Sequence, residues 1–302
     1  MNHNPSSVPT PEHNGAPLRG HVVVGVDGSA LADLAVEQAA DEAAFRGVPL
    51  EVLHVVDRAP DREEDQQVAA LREEAESLVR TTAERARLRH PDLAIVTTVT
   101  VARIVPTLEQ ATDRAALVVL GGRGLGGFAG LLLGSVSLSV AAAARCPILV
   151  VRAPHANAPL DAPGTVVVGV SGLDCAPAVE AAFAAAQARG VALRAVHAWA
   201  PPVSPAAPYA PSLWVGDDGR KNAEATLATA LEPFVNRYRQ VPLTEQIVCD
   251  IPTHALLAAG DEAELVVLAA HRRHGRFGPN LGRVTHTLLH HSKAPVLLVP
   301  IA

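Results

Sequence analysis

Lysine is almost missing from this 302-residue chain: it occurs only at Lys221 and Lys293, both in the second half. A Walker loop sets the lysine of a GxxxxGK[ST] string against phosphates, so that loop is excluded from the first half. Cysteine is as sparse, at Cys146, Cys175 and Cys249, with no CxxC and no His/Cys metal spacing. Scattered thiols of this number build neither a disulfide framework nor a zinc site, and a reduced, cytoplasmic compartment is the expectation. Aromatic residues make up 3% of the chain, so the core must be packed from Ala, Val and Leu. Basic clusters are missing too. With a formal net charge of −6, the chain lacks the cationic footprint of a nucleic-acid partner, and none is expected.

Charge is absent over residues 124–144, a stretch close to the roughly 20 residues of a membrane span. Gly124, Gly126, Gly127, Gly130 and Gly134 interrupt its first half, and Ser135, Ser137 and Ser139 follow. A loop leading into a helix explains that composition, so no membrane span is expected. Residues 1–20 are polar, rich in Pro, Asn and Ser, and lack an apolar h-region. They read as a flexible tail, not a signal peptide.

The remaining chain repeats itself. His21-Val-Val-Val-Gly-Val-Asp-Gly-Ser29 has a counterpart in Thr165-Val-Val-Val-Gly-Val-Ser-Gly-Leu173, and Leu117-Val-Val-Leu120 recurs as Leu265-Val-Val-Leu268. Cys146-Pro-Ile-Leu-Val-Val151 corresponds to Ala294-Pro-Val-Leu-Leu-Val299. A period of about 145 residues is a whole domain, far longer than a solenoid unit. The organisation expected is a first domain over 21–152, a Pro-rich linker over 153–164 and a second domain over 165–302.

Within each copy, short runs rich in Val, Ile and Leu alternate with helical patterns. The strands expected in the first copy are 22–26, 50–56, 94–101, 117–121 and 147–151; those in the second are 166–170, 192–198, 243–248, 265–269 and 295–299. Continuously apolar strands suit a sheet covered on both faces. Helical spacing marks 31–46 and 63–89, and strand–helix alternation implies a parallel sheet with right-handed crossovers. A second Pro-rich stretch, 201–211, with Trp199, Tyr209 and Trp214 nearby, is either an interaction surface or a loop fastened by its aromatics.

In such a sheet, ligands sit beyond the carboxyl ends of the strands, where strand order reverses. The first strand there ends at Asp27-Gly-Ser29, the second at His54-Val-Val-Asp57, and the fourth runs into the glycine-rich loop 121–135. Glycines let backbone N–H groups approach an anion, and a helix starting at Ser135 adds free N–H donors. Arg123 supplies a full positive charge, and the Ser135 and Ser137 hydroxyls are further hydrogen-bonding groups. The loop suits a di- or triphosphate; on composition alone, an ordinary surface loop ending in a Ser cap stays open. Gly122-x-Gly124-x-x-Gly127 matches GxGxxG, but it follows the fourth strand. No Asp or Glu lies between Arg114 and Leu160 to hold a ribose, so the dinucleotide reading is weak. Asp27 is compatible with a cap or turn role, and His54 with a structural role at the strand end.

Gly121-x2-Gly124-x9-Gly134-Ser135 resembles the G-2x-G-9x-G-(S/T) pattern of ATP-binding universal stress proteins. Asp27 in Val-Asp-Gly-Ser and the His54-Val55 pair fit the same family, and the resemblance covers nearly the whole chain from about His21 as a tandem of two copies. It implies an α/β fold of two five-stranded parallel-sheet domains, Rossmann-like and of the adenine nucleotide alpha hydrolase-like type. They would form a pseudo-dimer within one chain by pairing 147–151 with 295–299, with a homodimer of the whole left open. It also implies that Asp27, with backbone around Gly25 and Val55, faces adenosine and that Leu120 lines the adenine side. Gly121, Arg123, Gly124, Gly134, Ser135, Val136 and Ser137 would surround ribose and phosphates, with Mg²⁺ held mainly by phosphate oxygens.

The second copy departs from the pattern. Asp27 becomes Ser171, Ser29 becomes Leu173, Gly121 becomes Ala269, Gly124 becomes Arg272 and Ser135 becomes Arg283; Gly282 persists. One ATP per chain is therefore expected. The loop 271–276 reads as a solvated, locally basic segment with an anion site as the alternative. The leading expectation is an ATP-binding regulatory or stress-response protein acting through an unidentified protein partner, with no catalytic residue assigned. A slow nucleotide hydrolase and a nucleotide-independent adaptor using the Pro-rich loop or the acidic helix are the alternatives; neither a water-activating carboxylate nor a base for Ser135 is evident.

Overall fold

The computed structural model describes residues 20–57, 65–124, 133–153, 164–200, 216–271, 273–275 and 278–301. The N-terminal tail, the linker, the Pro-rich stretch with Tyr209 and Trp214, Gly126, Gly127 and Gly130, and Arg272 and Arg276 lie outside the described residues.

Valine runs build the centre. In β1 (Val22–Gly25) Val22, Val23 and Val24 are fully buried, alternate side chains packing into cores on opposite faces of the sheet. Helix α1 (Ala30–Arg46) starts where the Ser29 hydroxyl accepts the Ala32 N–H at 3.2 Å. Then follow β2 (Leu50–Asp57), α2 (Asp65–Arg89), β3 (Ile95–Ala102), α3 (Ile104–Ala111), β4 (Leu117–Gly121), α4 (Ser135–Ala143) and β5 (Ile148–Val151). The second copy runs β6 (Thr165–Gly169), a 3₁₀ turn (Leu173–Cys175), α5 (Ala176–Arg189), β7 (Ala192–Trp199), α6 (Gly216–Val235), β8 (Leu243–Cys249), α7 (Pro252–Gly260) and β9 (Leu265–His271). It ends with β10 (Arg273–Gly275), β11 (Gly278–Asn280), α8 (Arg283–His291) and β12 (Val296–Ile301).

Ten strands form one sheet in the order β3-β2-β1-β4-β5-β12-β9-β6-β7-β8. Each copy contributes five parallel strands, and the copies join where β5 and β12 pair antiparallel, Leu149 opposite Leu297. The tandem is therefore a pseudo-dimer whose two last strands cover each other's edges. Arg189 at the end of α5 reaches across the seam to the buried carboxylate of Glu42 on α1, at 2.6 Å. As the low aromatic content requires, most of the largest fully buried side chains are Leu; Phe183, stacked on Tyr238, is the aromatic exception.

Three features differ from the sequence expectation. The outer strands β3 and β8 are half-buried or exposed along their length, because each has a neighbour on one side only; their Thr and Glu residues fit that position. Two short helices, α3 and α7, carry no part of the expected pattern, since eight or nine residues give barely two turns of periodicity. The basic segment 271–276, read as a solvated loop, contains β10 of the β10–β11 hairpin, and β11, just beyond it, packs on α4 of the first domain.

Candidate functional site

Strand order reverses between β1 and β4: the chain leaves β1 outward to β2 and β3, then returns at β4 on the other side. Carboxyl ends of such a pair leave a crevice. A cavity of about 520 Å³ opens there, and all eleven site residues named from the sequence, Gly25 through Ser137, line it. Eight more do so: Val26, Ser29, Ala32, Leu53, His54, Ile104, Leu108 and Leu133. Ile104 and Leu108 sit one turn apart on α3; that apolar i,i+4 pair is the one sequence signal for this part of the wall, and it is too short to mark a helix.

The cavity has two chemically distinct ends. Leu53, Val55, Ile104, Leu108 and Leu120 make one apolar; Asp27, Arg123, Gly124 and the start of α4 make the other polar. Asp27 Oδ1 accepts the Ser29 N–H at 3.0 Å, which leaves capping of α1 to Ser29. Its Oδ2 lies where a β-carbon on Gly124 would have to stand, so the β1 turn and the β4 loop meet with no room for a side chain between them.

Three bonds fix the loop against the ends of β4 and β5. The Gly122 N–H donates to Val151 O at 2.8 Å, the Gly134 N–H to Gly122 O at 2.7 Å, and the Ser137 hydroxyl to Gly121 O at 2.7 Å. The first turn of α4 is thereby held against the strand end with no side-chain cap. Its leading N–H groups have no intrahelical acceptor, and Ser135, Val136 and Ser137 line the cavity. Of the two hydroxyls expected as further hydrogen-bonding groups, that of Ser137 commits its proton to Gly121 O. Ser137 is a brace. Any donation from it to an anion comes through its backbone N–H.

His54 is explained by the framework. Its Nδ1 donates to Val26 O at 2.7 Å, and its counterpart His197 makes the same bond to Val170 O at 2.8 Å. In domain 2 the other parts of the site have changed. His271, which stands where Arg123 does, holds Asp174 Oδ2 at 2.7 Å, and Ser171, in place of Asp27, turns to Cys175 Sγ at 3.0 Å. At the positions of Asp27 and Arg123, domain 2 thus carries side chains bonded to Cys175 and Asp174.

Among the described residues no group of three or more His, Cys, Asp or Glu is placed to hold a metal ion, and no helix is long and apolar enough to cross a membrane.

The model of the universal stress protein family matches residues 19–152 and again 164–300. The chain belongs to the universal stress protein family. Universal stress protein Rv2005c of Mycobacterium tuberculosis is 34% identical over 299 residues, covering 93% of this chain and 98% of the relative. Universal stress protein Rv1996 of the same organism is 36% identical over 304 residues, covering 93% and 95%. These relatives align over both halves, as tandem members do. Among solved structures, a universal stress protein from Archaeoglobus fulgidus superposes with a TM-score of 0.69 at 18% identity, covering 92% of this chain and 98% of that one, and supports the fold.

Proposed function

We propose that this universal stress protein binds one ATP, in the domain 1 cavity, and acts as a nucleotide-dependent regulatory or stress-response protein. The observation that carries the proposal is the meeting, in one cavity of about 520 Å³, of an apolar wall and an anion-seeking wall. That volume lies within the range of cofactor pockets, roughly 300–1,000 Å³. The adenine ring packs among Val55, Ile104, Leu108 and Leu120. Ribose and phosphates run toward Gly121, Arg123, Gly124 and the leading N–H groups of α4, where backbone dipoles and one guanidinium offset the polyphosphate charge.

Mg²⁺ fits this site only as a companion of the nucleotide. Asp27 is the one carboxylate among the residues lining the cavity, so a Mg²⁺ would be held through phosphate oxygens with few or no protein ligands. Asp27 is braced by the Ser29 N–H and by Gly124, an arrangement suited to positioning a ligand. No specific contact favours water activation, so binding is the reading advanced. In domain 2 the His271–Asp174 contact and the loss of Gly124's equivalent argue against the same pose.

The test is direct. Protein purified without added nucleotide is denatured, and the released adenine is identified by absorbance and mass; ATP is then titrated into nucleotide-free protein. Retained or rebound ATP, lost in Gly124→Glu and Asp27→Ala, supports the proposal. No adenine, together with no ATP effect on melting temperature, overturns it in favour of an adaptor. Steady ADP release abolished by the same variants would favour a hydrolase.

A further inference from the structure

The ten-stranded sheet ends in β3 on one side and β8 on the other, and the two edges are built differently. β8 carries the exposed Glu245. β3 reads Ile-Val-Thr-Thr-Val-Thr-Val-Ala, eight residues without charge, proline or glycine. Charges, proline, bulges and shortness keep an edge strand from pairing with another chain, and β3 has none of them. Its orientation is fixed by β2: the Ala94 carbonyl accepts the Leu50 N–H at 2.9 Å, and the parallel register runs unbroken from Leu50–Ile95 to Asp57–Ala102. By strand alternation, the N–H and C=O groups of Ile95, Thr97, Val99 and Val101 point away from β2. Arg87 of α2 reaches the first of them, Nη2 donating to Ile95 O at 3.5 Å.

That bond marks the flank of α2 that borders the edge. Arg80, Glu76 and Glu73 stand seven, eleven and fourteen residues before Arg87, spacings that return to the same helix face. Glu73, Arg80 and Arg87 are exposed, and Glu76 accepts Arg72 Nε at 3.1 Å near the surface. The flank is therefore acidic in its first half and basic in its second. Beside the strand itself, Asp92 and Arg103 are exposed, and neither is in an ion pair among the described residues. The seam inside the chain shows how two such edges join. There β5 and β12 pair antiparallel, α1 and α5 lie on one face of them in a shared core, and Arg189 of α5 meets Glu42 of α1 at 2.6 Å.

We propose that two copies of this chain associate through β3, antiparallel about a two-fold axis at Thr98, so that two ten-stranded sheets become one. In this register Ile95 of each copy pairs with Val101 of the other and Thr97 with Val99, and the outward backbone groups satisfy one another. The axis stands perpendicular to the sheet, so the two α2 helices lie side by side on one face and run in opposite directions. Because α2 packs on both β2 and β3, the helices come about 10 Å apart, an ordinary packing distance. The basic half of each α2 then faces the acidic half of the other, and Arg103 falls beside Asp92 of the second copy. The interface leaves the cavity between β1 and β4 untouched, so the inference does not depend on the ATP reading. The outer edges of the assembly are the two β8 strands with their Glu245.

The test is sedimentation equilibrium of the full chain across a wide range of concentrations, with urea melts on the same samples to confirm folding. Wild type should approach twice the mass of one chain. Thr97→Pro removes an outward N–H at an exposed edge position, where proline is tolerated, and should weaken association by at least about tenfold. Arg87→Glu, which leaves the strand intact, should also weaken it, by about tenfold; adding Glu73→Arg to the same chain should restore it, since the two-fold sets each of these residues against the other. A wild-type chain that stays monomeric throughout overturns the proposal and leaves the β3 edge to an extended segment of another protein. Wild-type association in folded Thr97→Pro, or a double variant no tighter than Arg87→Glu alone, overturns it as well.

Discussion

Asp27 and Gly124 lie against each other, Oδ2 of the first filling the space that a β-carbon on the second would need. The turn after β1 and the loop after β4 are fitted together through this contact. Gly124 is exposed, so a substitution there moves the carboxylate before it disturbs the core. We expect Gly124→Ala to weaken ATP binding by at least about tenfold, or about 1.4 kcal/mol, with the urea midpoint nearly unchanged. Calorimetry and urea melts on the same samples check both halves; wild-type affinity in Gly124→Ala would remove this contact from the account.

His54 and His197 make equivalent bonds in the domain that keeps the glycine pattern and in the one that departs from it. Their role is thus to tie the second strand of each domain to the end of the first. His54→Ala and His197→Ala should each cost about 1–2 kcal/mol of stability, in similar amounts. Chemical denaturation measures this. A loss confined to His54→Ala would point to a site-specific role instead.

The far edge of domain 1 holds a buried ion cluster. Glu51 receives Arg114 Nη1 at 2.6 Å and His21 Nε2 at 2.6 Å. Burial alone would raise its carboxyl, but hydrogen bonds from His21, Arg114 and Thr98, with the Arg114 charge, outweigh burial and hold it at about 2 against an ordinary 4.5. A depressed folded-state value stabilises the protein above pH 4.5, and that stability is lost as the pH falls from 4.5 toward 2. The window corresponds to about 3 kcal/mol. Glu51→Gln should flatten the acid limb of a stability–pH curve in that range and lower stability at pH 7 by about 3 kcal/mol. An acid limb identical to wild type would contradict the assignment.

Thiol reactivity separates the three cysteines. Cys249 is exposed, whereas Cys146 and Cys175 are buried. Burial, the largest influence on Cys146, pushes its thiol up to about 11. A thiol-specific chromogenic reagent should modify one group per native chain quickly at pH 8, and the other two only after denaturation. Fast modification of more than one would show that the buried thiols open readily.

The repeat and the central strands were legible in the sequence because they rest on short-range patterns, valine runs above all; the eleven residues that line the cavity were named through glycine spacing, an Asp-Gly-Ser turn and the family resemblance these carry. Helix α3 was not, being too short for its period to register, so Ile104 and Leu108 were missed as part of the apolar wall. The commitment of the Ser137 hydroxyl to Gly121 O was hidden because the bond spans a loop closure.

The central claim is one nucleotide per chain, held in domain 1. Calorimetric titration of nucleotide-free protein with ATP measures it most directly. The account predicts a stoichiometry near one that disappears in Gly124→Glu and survives Arg272→Glu at the matching place in domain 2. A stoichiometry near two, or a single site that survives Gly124→Glu, would contradict it.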